Sequence, residues 1–209
     1  MPRLVGAPWA DRLSEMNMTE RLPALLIVDM QVGMSWPSSG DRNNPGAETV
    51  IGGLLDAWRA RGAPVVHIRH ISRTPGSPFW PGQPGVEFQA ALKPLDSEYV
   101  IAKNVPDAFV KTGLEGWLHA RGIAALVIVG VSTNNSVEST ARTAGNLGFK
   151  TYVVSDATFA FAKADFEGRP RTAQEVHAMS LANLQGEYAS VISSAEALAE
   201  MRRWGGTGE

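Results

Sequence analysis

Six short apolar runs recur along the chain, and stretches with helical spacing separate most of them. "ALLIVD" (24–29) is continuous apolar sequence closed by an acid, the pattern of a strand buried on both faces. "APVVHIRHI" (63–71), "EYVIAK" (98–103), "AALVIVG" (124–130), "KTYVVSD" (150–156) and "YASVISS" (188–194) read as further strands. Between them, Val50, Leu54, Leu55 and Trp58 recur with the period of a helix over 47–61, which Gly62 ends. A short amphipathic helix is predicted over 112–122, and another over about 134–147, closed by Gly148. Thr172 with Glu175 three residues on forms a capping box that opens a helix over 172–186, and 195–204 reads as a last helix.

Strands alternating with helices imply a mostly parallel sheet covered on both sides. With right-handed crossovers this gives an α/β fold, a three-layer α/β/α sandwich with a six-stranded, Rossmann-like sheet. The connections "MSWPSSGDRNNPG" (34–46) and "SRTPGSPFWPGQPGVEF" (72–88) are loops, and one this long is expected to serve function. No internal repeat, low-complexity segment or linker divides the chain. One domain over 21–204 is expected, with 1–20 as an N-terminal extension and 205–209 as a frayed tail.

Composition narrows the class of function. The 209 residues suffice for one full α/β core. The 19 Lys+Arg against 21 Asp+Glu give a net charge of -2 without like-charge blocks, which favours neither nucleic acid nor an anionic membrane as partner. No cysteine occurs, so disulfides, thiolate metal sites and thiol catalysis are excluded. The N-terminus lacks the apolar core of a secretory signal and no run approaches a membrane span, so a cytoplasmic location is expected.

Ligands of open α/β sheets bind beyond the carboxyl ends of the strands. The first strand ends in Asp29, the third in Lys103, and the fourth in a turn with Ser132, Thr133, Asn134, Asn135 and Ser136. An acid, an amine and a hydroxyl can therefore converge in one crevice, where an Asp beside a Lys serves as base or acid. Each also has a plainer reading, as a helix cap or a solvated strand end. "GVSTN" begins like a nucleophile elbow but ends in Asn134, and neither a dinucleotide fingerprint, a Walker sequence nor H-E-x-x-H occurs. His67 and His70, three apart on a strand, face opposite sides, poor geometry for one metal. His70, nearer the strand end, is the candidate to line the crevice. His119 reads as a helix-surface residue and His177 as a satisfied core histidine. Trp36, Phe79 and Trp80 fall in the two loops after the first two strands. They either cap a pocket for a planar or apolar ligand or pin those loops to the domain.

Three segments, "ALLIVDMQVGM", "VIAKNVPDAF" with "TGLEGWL", and "VIVGVSTNNSVESTARTAGNLGF", resemble in order and spacing the signature segments of the isochorismatase-like, or cysteine, hydrolases. The resemblance runs from about Ala24 to Ser193. It implies a six-stranded parallel sheet and a homo-oligomer, a dimer or tetramer. It also implies a catalytic Asp at Asp29, a catalytic Lys at Lys103, and a nucleophile position at Ser136 where the family has Cys. A non-proline cis peptide is implied between Val131 and Ser132, with the N–H groups of Ser132 and Ser136 as an oxyanion hole. "HIRHIS" does not reproduce the acid and histidines of metal-binding nicotinamidases, so neither metal nor other cofactor is expected. Asn134 and Asn135 also depart from the family's Thr-Asp-x-Cys run, which a single Cys-to-Ser exchange would not produce.

The serine changes the chemistry. A thiol has a pKa near ~8.5 and a hydroxyl one near that of water, ~15.7, a gap of roughly 7 units or about 10 kcal/mol. Serine nucleophiles normally have a His or a neutral Lys as base. The leading expectation is therefore a hydrolase of a small molecule. In it Asp29 and Lys103 assist cleavage of a C–N amide or vinyl-ether bond without a covalent intermediate. Ser132, Asn134, Asn135, Trp36, His70, Phe79 and Trp80 would line the substrate, and Arg73 is a further group able to meet an amide or carboxylate. Two alternatives stay open: Ser136 as a covalent nucleophile, and an inactive binding or scaffold protein on the same fold.

Overall fold

The computed structural model describes residues 22–204; the expected extension over 1–20 and tail over 205–209 lie outside the described residues. Strands β1 (Ala24–Val28), β2 (Val65–His70), β3 (Tyr99–Lys103), β4 (Ala125–Val131), β5 (Lys150–Phe159) and β8 (Ser190–Ile192) form one parallel sheet in the order β3-β2-β1-β4-β5-β8. A small antiparallel hairpin, β6 (Lys163–Ala164) with β7 (Pro170–Arg171), projects after β5.

Alternation along each strand sorts the core into two layers. Leu25, Ile27, Val127, Val129 and Val154 face α1 (Ala47–Ala60) and α5 (Ser194–Arg203), which supply Ile51, Leu54, Leu55, Trp58, Ala197 and Met201. Leu26, Val28, Val66, Ile68 and Ile128 face the other way, against α2 (Leu114–Ala120), α3 (Glu138–Asn146) and α4 (Ala173–Leu184). Both sheet faces are thus dry, which is why the strands read as unbroken apolar runs. The α/β sandwich expected from the sequence is the fold observed.

Three local features differ from the sequence reading. The helix expected from 134 begins at Glu138 and is preceded by a wide turn over Thr133–Val137, in which Val137 N–H bonds back to Ser132 O, one residue beyond helical reach. β5 runs three residues further, because a register shift against Ile128 and Gly130 lets Thr158 and Phe159 rejoin the sheet. Asn44 caps the irregularity by donating its side-chain amide to Ser155 O and Thr158 O. The hairpin β6–β7 occupies a stretch whose two-residue strands are too short to leave a period. The capping box of Thr172 and Glu175 is present, and Ser193 with Glu196 forms a second one that opens α5.

Candidate active site

The strand order reverses direction at β1: the chain steps outward to β2 and β3, then returns to place β4 on the other side. A crevice opens at such a switch point, beyond the carboxyl ends of the two strands that flank it. Here those ends carry Asp29, directly after β1, and the Ser132–Ser136 turn, directly after β4. His70 and Lys103 are register partners at the ends of β2 and β3.

Lys103 reaches from β3 past the end of β2 to the β1 end. Its Nζ donates to Asp29 Oδ2 at 2.7 Å and to Ser136 Oγ at 3.2 Å. All three are buried, at 1% exposure for Asp29, 3% for Lys103 and 6% for Ser136. A carboxylate and an ammonium removed from water are costly unless paired and hydrogen-bonded, so this arrangement is a specified one. Asp29 Oδ1, also buried, has no hydrogen-bond partner among the described residues. Native structures seldom leave a carboxylate oxygen so, and a reacting group is one reason they do. Asp29 also has φ +52°, a left-handed backbone that costs a non-glycine residue energy and concentrates at functional sites.

The approach of β4 to β1 depends on Gly130. Its φ is +116°, and a Cβ there would lie 2.1 Å from Val28 O. One peptide further on, Val131–Ser132 is cis, where the family resemblance puts it.

His70 is half-buried. Burial pushes its pKa down, while Asp29 pulls it up and Lys103 pushes it down, so its ring lies within electrostatic range of both. Its ring meets Phe79 edge-on with centroids 6.1 Å apart. Phe79 packs on Gly33, where a Cβ would lie 2.8 Å from its Cε1. Trp36 lines a separate cavity of about 420 Å³ with Met34, Arg42 and Phe161. Trp80 is half-buried in the long loop, in a turn closed by its N–H to Ser77 O, and makes no ring contact among the described residues. The expected aromatic cluster is thus split, with only Phe79 on His70. Arg73 is exposed.

Ser132, Asn134 and Asn135 line a cavity of about 350 Å³ with Phe161, Ala162 and Lys163. Three contributors, Phe161, Lys163 and Gln31, escaped the sequence reading. Phe161 and Lys163 follow β5, in a stretch without a period. Gln31 is fully buried and clamps β2, accepting from His70 N–H at 2.7 Å and donating to His70 O at 3.0 Å and Val86 O at 2.9 Å. A polar residue two positions after Asp29, in otherwise apolar surroundings, was its only signal. Thr133 Oγ1 pairs with the buried His177 Nδ1 at 2.9 Å, which fixes the turn to α4.

His67 is on the far side of β2. Its Nε2 lies 2.9 Å from Glu98 Oε2, and Glu98 is also held by Arg59. Burial pushes the ring's pKa down and outweighs Glu98, so the ring is neutral and donates through Nε2. Among the described residues, no three His, Asp or Glu side chains are disposed to hold a metal ion, and no helix is long and apolar enough to cross a membrane.

This fold and site define a class of protein. The isochorismatase domain family matches residues 23–196, and the chain belongs to that family. A crystal structure of a putative isochorismatase-family hydrolase from Chromobacterium violaceum is 52% identical, with a TM-score of 0.84 over 90% of this chain and 99% of that one. An uncharacterized isochorismatase family protein of Bacillus subtilis, YrdC, is 39% identical over 84% of this chain and 94% of its own. The maleamate amidohydrolase of Pseudomonas putida is 28% identical over 89% of this chain and 90% of its own.

Proposed function

We propose that the protein is a hydrolase that cleaves a C–N amide bond in a small molecule by means of Asp29 and Lys103, without a covalent intermediate on Ser136. The observation that carries this reading is the position of Lys103 between Asp29 Oδ2 and Ser136 Oγ, with Asp29 Oδ1 unpartnered. Lysine as an ammonium is a donor only. It therefore offers Ser136 a proton where a nucleophile needs a base. Asp29 Oδ1 is the acceptor left for a water molecule. As that water adds to the amide carbon, Asp29 takes its proton, and the backbone N–H groups of Ser132 and Ser136 meet the oxyanion. Collapse breaks the C–N bond and returns the proton from Asp29 to the leaving nitrogen, giving a carboxylic acid and an amine. The resemblance to a maleamate amidohydrolase supports an amide over a vinyl ether, for which Asp29 would act as acid.

Hydrolysis of maleamate, other short amides, ureas and vinyl ethers by the wild type and by Asp29→Asn tests this. Turnover of an amide that falls by at least about 10²-fold in Asp29→Asn, the scale of general acid–base catalysis, is expected. A ligand that binds the crevice with no turnover across the panel would favour a binding protein instead.

A further inference from the structure

Helix α4 buries polar groups where a helix on a sheet ordinarily buries apolar ones. Its buried positions are Ala173, His177, Ser180 and Leu184, a single stripe at helical spacing, while Met179 on its outer side is exposed. Burying an imidazole and a hydroxyl is costly unless each is hydrogen-bonded, so the partners they meet explain their place. Both meet Thr133, the buried residue that follows Ser132 in the turn after β4.

His177 holds Thr133 by its side chain. Its Nδ1 lies 2.9 Å from Thr133 Oγ1, and its other hydrogen-bond partner is the backbone of Ser155, inside the irregularity of β5. Burial pushes the ring's pKa down, so the ring is neutral and has one N–H and one lone-pair nitrogen. The Ser155 contact pulls the pKa up, as a carbonyl acceptor does, so the N–H points there. Nδ1 is then the lone pair, and the Thr133 hydroxyl donates to it. Ser180 holds Thr133 by its main chain: Oγ is 2.9 Å from Thr133 O and 2.7 Å from Glu138 Oε2, and shares one proton between them. Within the turn, the Asn135 and Val137 N–H groups both converge on Ser132 O. No regular helical ladder fixes its peptide planes, and the contacts of Thr133 with α4 do so from outside.

We infer that His177 is a positioning residue: through Thr133 it sets the direction in which the Ser132–Ser136 turn presents its N–H groups to the substrate oxygen. The inference rests on the hydrolase reading. His177 is buried behind the turn and lines neither of the cavities that Asn134 lines, so it acts on the substrate only through Thr133. One ring joins α4, the turn after β4 and the irregular stretch of β5, and so sets the turn against two parts of the scaffold. A displacement of about 1 Å at the reacting groups costs on the order of 10²-fold in rate, so a bond one residue from Ser132 matters to turnover.

Steady-state kinetics of His177→Leu, His177→Asn, Thr133→Val and the double variant His177→Leu/Thr133→Val test this on the amide the wild type turns over best. Leucine removes the acceptor, and asparagine puts a carbonyl oxygen near the place of Nδ1. His177→Leu is expected to lower kcat about tenfold or more with KM within about twofold, and His177→Asn to restore part of it. Thr133→Val is expected to match His177→Leu, and the double variant to be no worse than either, because each change removes the same bond. Thr133→Val, nearly isosteric, makes the comparison alone if His177→Leu does not fold. A kcat within about twofold of the wild type in the single variants, or losses that multiply in the double variant, overturns the inference and leaves the hydrolase reading in place. Amide hydrogen exchange needs no turnover and separates the two. Exchange over Ser132–Ser136 is expected to quicken about tenfold or more in His177→Leu or Thr133→Val, and less in His177→Asn. If no amide is hydrolysed, that quickening keeps the clamp on the turn and only the hydrolase reading falls; unchanged exchange overturns the inference.

Discussion

Lys103 donates a hydrogen bond to Ser136 Oγ at 3.2 Å, so the buried serine of the turn after β4 faces a proton donor. The same ammonium holds Asp29, and the acid's second oxygen is left open. A thiol tolerates this surrounding because a nearby cation favours the thiolate. A hydroxyl gains too little from it to ionise, so in the proposed reaction the nucleophile is water held by Asp29.

The Asp29–Lys103 pair is expected to be structural as well as chemical. Lys103→Met leaves a carboxylate at 1% exposure with no charge partner. Breaking a buried pair from one side costs about 3–5 kcal/mol. Urea unfolding is expected to show a loss of that size, and Asp29→Asn combined with Lys103→Met to recover part of it. A cost under ~1 kcal/mol for Lys103→Met would mean the carboxylate is simply neutral in the fold.

Gln31→Ala is expected to cost at least about 2 kcal/mol. It removes three hydrogen bonds to backbone groups of His70 and Val86, and each buried group left unsatisfied costs about 1–3 kcal/mol. Because the clamp fixes the end of β2, kcat/KM on whichever amide is turned over should fall as well. Unfolding curves and steady-state rates on the same preparation check both.

Two buried histidines and one half-buried one set an acid limit. Burial lowers the pKa values of His67, His70 and His177 below the ordinary 6.5. The unfolded chain therefore takes up protons that the folded one refuses in the window just below 6.5. Stability is full above that value and falls as pH drops through the window toward the lower folded values. The urea midpoint is expected to decrease from pH 7.5 to pH 5.5, and a flat profile would contradict the burial argument.

Much of the fold was legible because the sheet is buried on both faces. Strands such as "ALLIVD" and "AALVIVG" cannot hide as anything else, and the helix at Thr172 announces itself through its cap. The polar ends of strands one, three and four could be read as one site because switch-point topology brings them together. The structure does place Asp29, Lys103 and Ser136 in contact. What stayed hidden depends on long-range geometry without local period. The Gln31 clamp joins residues 39 and 55 apart in sequence. The wide turn at Thr133 needs a bond one residue longer than a helix makes, and the pairing of Lys163 with Arg171 rests on a hairpin of two-residue strands.

Ser136→Ala tests the central claim most directly. On the best amide found, turnover is expected to stay within about tenfold of the wild type, and intact-mass spectra of the wild type during turnover to show no acyl adduct. Loss of activity to background in Ser136→Ala, with an acyl group found on Ser136 in the wild type, would contradict the account and make the serine the nucleophile.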